Sequence, residues 1–219
     1  MPTPTVEDYM LAIYSFEYEK TEVIAARLAE RLDVSPPTVS ATIDRMVRDG
    51  YVQVDPNHAI RLTASGSEMS EKIARRHRLI ERWLADALGL EWSAIHEEAD
   101  RLEHAISDVL EDRISESLGH PETCPHGNPI PGNVRTWSRE GLVELSELAL
   151  MQNAEIIRIS ELIEEELDLL EYLQSHQLVP GIMLLTRDRT PNGTVVVEID
   201  GQIVPVDNSV SSYIWVRPT

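Results

Sequence analysis

His96, Asp100, Glu103 and His104 fall within one short stretch, IHEEADRLEHAISD. At 3.6 residues per turn, their spacing places all four on one helix face. Two imidazoles and two carboxylates side by side are donors for a divalent metal. Beside them runs an apolar stripe of Ile95, Ala99, Leu102, Ile106, Val109 and Leu110. A helix burying that stripe would present the donors at a packing seam. Taken singly, each donor would suit a solvated polar face; their clustering is what points to metal.

The elements that would position this helix can be read in order. A first helix is expected from about Thr5 to Phe16, with Thr5 and Asp8 at capping-box spacing. EVIAARLAERLD reads as a second helix that buries Val23, Ile24, Leu28 and Leu32. Ser35-Pro36-Pro37 caps and starts a third, TVSATIDRMVRDG, which Gly50 ends. YVQVD and AIRLT alternate around a turn at Pro56-Asn57 and read as a β-hairpin. This order is a winged helix-turn-helix, whose third helix would enter the DNA major groove. A long helix follows from about Ser67 to Leu88, ending at Gly89, then the metal-donor helix and the loop HPETCPHGNPIPGN. After an acidic helical stretch, EIIRISEL reads as a strand and LDLLEYLQSHQ as a short helix. GIMLLTRD, TVVVEID, QIVPVD and SYIWVRP then read as strands of a small β-barrel.

Composition narrows the class. The 219 residues can bury a sizeable core, and no apolar run approaches membrane-spanning length. The first ten residues lack a basic and an apolar region, so no secretory signal is expected. A single cysteine, Cys124, excludes an internal disulfide framework and fits a reducing cytoplasm. The net charge of -19 opposes nonspecific nucleic-acid binding, but its acidic excess lies mostly between Glu140 and Glu171. Arg27, Arg31, Arg45, Arg48 and Arg61 all lie in the first third.

VEDYMLAIY, LAERLDVSPPTVSATIDRMVRDGYV, LTASG, RRHRLIERWL, HEEADRLEHAISD and CPHGNPIPG together resemble the diphtheria-toxin-repressor family of metal-dependent transcriptional repressors, specifically its manganese-responsive branch. They span roughly the first 135 residues; the remainder resembles, more loosely, the SH3-like (FeoA-type) domain of longer members. The resemblance implies a mainly α fold with small β parts. Its domains would be a winged helix-turn-helix over 1–73, a helical dimerisation and metal-binding domain over 74–140, and an SH3-like β-barrel over 150–219. It implies a cytoplasmic homodimer that binds double-stranded palindromic operator DNA, with no membrane, no small-molecule substrate and no enzymatic activity.

In register, the implied primary metal site is Asp8, Asp100, Glu103 and His104. Iron-responsive members place methionine and cysteine at the positions of Asp8 and Asp100; carboxylates at both suit Mn²⁺. Fe²⁺, Co²⁺ or Zn²⁺ can also bind such donors in vitro. The short manganese repressors carry glutamate at the position of Leu11, which puts a closely paired two-metal centre in doubt here. An ancillary site would gather His77, Glu81 and His96 with Cys124 and His126 of the loop. The third domain would add Glu166, with Asp168 as the alternative. Asp8 could instead cap its helix, Cys124 and His126 could be ordinary loop residues, and Glu166 could belong to a solvated acidic face.

Ser35, Pro37, Thr38 and Ser40 match the family's recognition-helix region, where hydroxyls can reach phosphates and a Thr methyl can touch thymine. Ala41 replaces a glutamine of the iron-type members, so a different operator sequence is expected. Arg27, Arg45, Arg48 and Arg61 are candidate phosphate contacts or surface ion pairs. The reading is therefore a manganese-activated repressor of manganese-uptake genes. The alternatives are an iron-activated repressor, a metal-dependent hydrolase, and a winged-helix regulator that senses an organic ligand. No HExxH, nucleophile elbow or phosphate loop supports the hydrolase.

Overall fold

Proline in the first turn starts helix α1 (Pro4–Tyr18) ahead of Thr5, and no side chain caps it. The capping box expected of Thr5 and Asp8 does not form, which leaves Asp8 available to other partners. Helix α2 (Ala25–Arg31) is shorter than its apolar pattern suggests. Val23 lies outside it, because its carbonyl accepts the Ile60 N–H of the hairpin at 2.8 Å. Ser35 caps α3 (Pro36–Arg48) by accepting from the Thr38 N–H. Strands β1 (Val52–Val54) and β2 (Ile60–Leu62) form the antiparallel wing. Tyr9, Met10, Ile13, Leu28, Val39, Met46, Val52 and Ile60 share one core, so α1 is the floor of this winged helix.

The long α4 (Ala64–Leu88) is capped by Thr63 and stopped by Gly89 in the left-handed region. Gly66 lets its first turn touch the wing: a Cβ there would meet the Tyr51 carbonyl oxygen at 1.9 Å. Helix α5 (Ile95–Glu103) packs on α4 through Ile80, Leu84, Ile95 and Ala99. The apolar stripe does not continue as expected. The helix ends at Glu103, and Ser107 caps a new helix, α6 (Asp108–Ser117). Val109 and Leu110, placed on the buried stripe by their spacing, are 72% and 47% exposed.

The computed structural model describes residues 2–133 and 139–219. Where an acidic helix was expected, it has strand β3 (Val143–Glu144) and a 3-10 turn at Leu145–Glu147. Leu145 and Leu148 anchor that stretch in the core of the third domain. Strands β4 (Asn153–Ile159), β5 (Met183–Arg189), β6 (Val195–Ile199), β7 (Gln202–Val206) and β8 (Ile214–Pro218) follow, with α7 (Leu167–Ser175) and α8 (Asn208–Ser211) between them. All pairings are antiparallel in the order β3-β8-β4-β5-β6-β7. The sheet begins ahead of the expected boundary at 150. Among the described residues no pairing joins β3 to β7, so the expected barrel is an open six-stranded sheet.

Candidate metal centre

Three of the four implied primary donors converge between α1 and the end of α5. Asp8, Glu103 and His104 each bring a ligand atom within 4.8 Å of the others. His104 Nε2 lies 3.0 Å from Asp8 Oδ1 and 3.8 Å from Glu103 Oε1. On its other side, His104 Nδ1 donates to Glu7 Oε2 at 2.7 Å. A carboxylate on one ring nitrogen orients the imidazole and leaves the other for a cation. Glu7 was not singled out in the sequence, because an acid in a first helical turn has an ordinary role there. Asp100 is exposed and groups with Glu103 and His77 rather than with Asp8 and His104. Burial, with Asp100 and Glu103 nearby, raises Asp8 to about 6 although His104 pulls it down.

The second cluster is deeper. Glu81 Oε1 sits 3.2 Å from each of His77 Nε2, His96 Nδ1 and His126 Nδ1. Cys124 shares a cluster with Glu81 and His126. His126 Nε2 faces the Trp92 carbonyl at 3.3 Å, which leaves Nδ1 directed at the site. Gly127 (φ +86) makes this approach of the loop feasible; a Cβ there would meet the Ile157 oxygen at 2.1 Å. His77 joins the two clusters: its Nδ1 pairs with Glu103 Oε2 at 2.6 Å while Nε2 faces Glu81.

The third-domain carboxylate in this cluster is Glu164. Its Oε2 lies 3.2 Å from His96 Nδ1 and 3.6 Å from His126 Nδ1. Glu166, expected in that role, is instead the exposed residue ahead of α7, facing a separate cleft with Arg27 and Arg31. Asp168 is exposed in the first turn of α7. The 3-10 turn Glu161–Ile163 displaces the register by aiming Glu164 inward. Glu165, also missed, has its Oε1 3.7 Å from His96 Nε2 and 3.3 Å from Arg31 Nη2.

Burial disfavours charge on His77, but Glu81 and Glu103 outweigh it and hold the imidazole at about 10. His96 is likewise pushed up against its burial, chiefly by Glu164 and Glu165, and His126 by Glu164 and Glu81. Glu81 is held well below the usual carboxylate range, against its burial, by His126 and His77. Burial, reinforced by Glu81 and Glu164, pushes the Cys124 thiol up. Even so, Glu81 Oε2, Glu103 Oε1, Glu164 Oε2 and His126 Nδ1 are buried without a hydrogen-bond partner. Glu103 Oε1 faces His104 in the first cluster and Glu164 Oε2 faces His96 and His126 in the second, and buried carboxylate oxygens left unpaired in each are what a cation would satisfy. The donors therefore fit divalent metal: oxygen-rich at the first cluster, rich in imidazole at the second.

On the DNA-binding side, Ser35, Pro37, Thr38 and Ser40 lie on the exposed face of α3, opposite buried Val39, Ile43 and Met46. Arg48 and Arg61 are exposed, and Arg61 lies 3.9 Å from Asp55. Arg27 is half-buried and bonds the Glu22 carbonyl, and Arg45 is half-buried. No helix among the described residues is long and apolar enough to cross a membrane.

Comparison with known proteins gives three consecutive family matches. Residues 1–60 match the iron dependent repressor N-terminal DNA binding domain, and 63–132 its metal binding and dimerisation domain. Residues 143–218 match the FeoA domain. The chain is 37% identical over 206 residues to the iron-dependent repressor IdeR of Mycobacterium leprae, covering 90% of this chain and 89% of that protein. It is 32% identical over 220 residues to the diphtheria toxin repressor of Corynebacterium diphtheriae, covering 97% and 96%. Among solved structures it resembles the manganese regulator SloR, with TM-score 0.83, 30% identity and full coverage of both chains. It also resembles a manganese-dependent transcriptional repressor in complex with manganese, with TM-score 0.85 and 32% identity over 98% of this chain and 100% of that one.

Proposed function

The chain belongs to the diphtheria-toxin-repressor family of metal-dependent transcriptional repressors, and from that premise we propose that it is a manganese-activated, cytoplasmic homodimer binding a palindromic operator. Members of this family are DNA-binding regulators and not enzymes. The observation that carries the reading is the meeting of Asp8, on α1 of the DNA-binding domain, with Glu103 and His104 at the end of α5. A bound divalent cation would supply the positive charge that lets Asp8, Asp100, Glu103 and His104 share one site. With their repulsion relieved, Asp8 holds α1 against α5 and so sets the separation of the two recognition helices in the dimer. His77, Glu81, His96, Cys124, His126 and Glu164 would form the ancillary site.

Relatives named for iron and structures named for manganese both match this chain, so the metal is argued from the donors. A carboxylate at 8, with a second at 100 that would turn to a bound cation from its place beside Glu103 and His77, would offer hard oxygen to the primary site, which supports Mn²⁺ over ions chosen by sulfur ligands. Ser35, Pro37, Thr38 and Ser40 would face the operator, with Arg48 and Arg61 on phosphate and Arg27 and Arg45 behind them. We assign 1–73 to DNA binding, 74–140 to metal and dimerisation, and the sheet to the third domain. Operator binding titrated anaerobically with Mn²⁺, Fe²⁺ and Zn²⁺ tests the assignment. Mn²⁺ should activate at concentrations that leave DNA half-bound; activation by Fe²⁺ where Mn²⁺ fails would replace manganese with iron.

A further inference from the structure

We propose that Asn128 and Arg158 relay the state of the ancillary site to the far end of α1, giving the DNA-binding domain a second anchor besides Asp8. The inference rests on the ancillary-site reading above. Its starting point is a β-bulge. Strand β4 pairs Ile156 with Val216 and then Arg158 with Trp215, so the register slips at Ile157. Strict alternation would aim Arg158 into the sheet core with Ala154 and Ile156. The bulge turns it to the opposite face.

There Arg158, fully buried, meets Glu19 at the end of α1. Its Nη1 donates to Glu19 Oε1 at 2.6 Å and its Nη2 to Glu19 Oε2 at 3.0 Å. Ser160 adds a bond to the same carboxylate at 2.6 Å. The Tyr18 and Trp215 rings flank the guanidinium. A buried, two-pronged ion pair resists partial separation steeply, so Glu19 must follow Arg158.

Asn128 connects this pair to the metal donors. Its Oδ1 accepts from Arg158 Nη1 at 3.0 Å, and its Nδ2 donates to Glu164 Oε1 at 2.8 Å and to the Ile159 carbonyl at 2.9 Å. The two ends of the amide are not interchangeable: turned over, the NH₂ would face the guanidinium and the oxygen would face the carboxylate. The position of Glu164 therefore fixes Asn128, and Asn128 fixes Arg158. The remaining oxygen of Glu164 is the one aimed at His96 and His126.

The same segment touches α1 and α2 elsewhere. Glu161 accepts from Ser15 Oγ at 2.6 Å and from Arg78 Nε at 2.5 Å, and Glu165 pairs with Arg31. Asp8 and Glu19 are ~16 Å apart along α1 at 1.5 Å per residue. One anchor sets the position of a helix; two so separated also set its direction.

The test uses full-length protein with the primary site disabled by Asp8→Asn and His104→Ala. Calorimetry with Mn²⁺ alone reports whether the ancillary site loads, and hydrogen exchange follows the α1 amides around residues 14–19. Mn²⁺ should raise their protection about tenfold. Adding Glu19→Gln, or Arg158→Lys if the former does not fold, should reduce that gain below about twofold while Mn²⁺ affinity stays within about threefold. Mn²⁺ binding without added protection, or a gain that survives both substitutions, would overturn the relay alone. Failure to bind Mn²⁺ would overturn the ancillary-site reading and the relay with it.

Discussion

Gly127→Ala should disable the ancillary site while leaving the primary one intact. Gly127 has φ +86, and an added Cβ would stand 2.1 Å from the Ile157 oxygen and 2.8 Å from Arg158 Cα. Left-handed backbone costs a non-glycine residue about 1 kcal/mol. Both close atoms are backbone of β4, so they cannot rotate away, and overpacking of this kind costs about 1–3 kcal/mol more. The loop can relieve that strain by separating from β4. Doing so breaks the 2.8 Å bond from Ile159 N–H to the His126 carbonyl and withdraws His126 from Glu81 and Glu164. If most of the roughly 2–4 kcal/mol appears in metal binding, ancillary affinity falls about 30- to 1,000-fold. Calorimetric titration with Mn²⁺ distinguishes the two classes of site. Asp8, Glu103 and His104 do not touch this loop, so primary-site affinity should change less than about threefold. An alanine variant that fills both sites like the parent would refute the reasoning.

Primary-site affinity should depend on pH through His104 and Asp8. The Asp8 carboxyl is raised to about 6, so it holds a proton below that value and competes with metal. Affinity should fall with pH by up to about tenfold per unit for each proton that metal displaces. His104, held above the ordinary imidazole range against its burial chiefly by Glu7, competes first, and Asp8 steepens the fall below about pH 6; electron paramagnetic resonance of free Mn²⁺ from pH 5 to 8 checks this, and a flat profile would contradict it. Glu161→Gln leaves Arg78 buried beside an uncharged partner and should cost about 3–5 kcal/mol at pH 7. Arg78 holds Glu161 low despite its burial, so the carboxylate's stabilisation is present above its unfolded pKa and lost as pH falls through the folded value. Urea midpoints for parent and variant should therefore converge in acid.

The spacing of His96, Glu103 and His104 carried much of the centre, because helical periodicity alone aligns them and His77–Glu81 repeats it on α4. What spacing could not show was where the helix stops. Ile106, Val109 and Leu110 continue the apolar pattern, yet Ser107 offers a cap that restarts the chain in a new direction. The third-domain carboxylate nearest the second cluster was placed at Glu166 for a similar reason. In a run of consecutive acids every position is chemically eligible, and only the 3-10 turn selects Glu164. Glu7 escaped notice because its partner, His104, is distant in sequence. The bulge at Ile157 did leave a trace, since strict alternation from Ala154 and Ile156 puts the charged Arg158 on the core face, but one such break does not say which way the strand resolves it.

The central claim is that Asp8 couples metal in the second domain to DNA binding by the first. Fluorescence anisotropy of labelled operator, titrated with Mn²⁺ for the parent and for Asp8→Asn, tests it most directly. The parent should gain operator affinity at least about tenfold on saturation, which is a coupling of about 1.4 kcal/mol. Asp8→Asn should retain its fold and its ancillary Mn²⁺ but lose most of that gain. An Asp8→Asn protein activated by Mn²⁺ as fully as the parent would contradict the account.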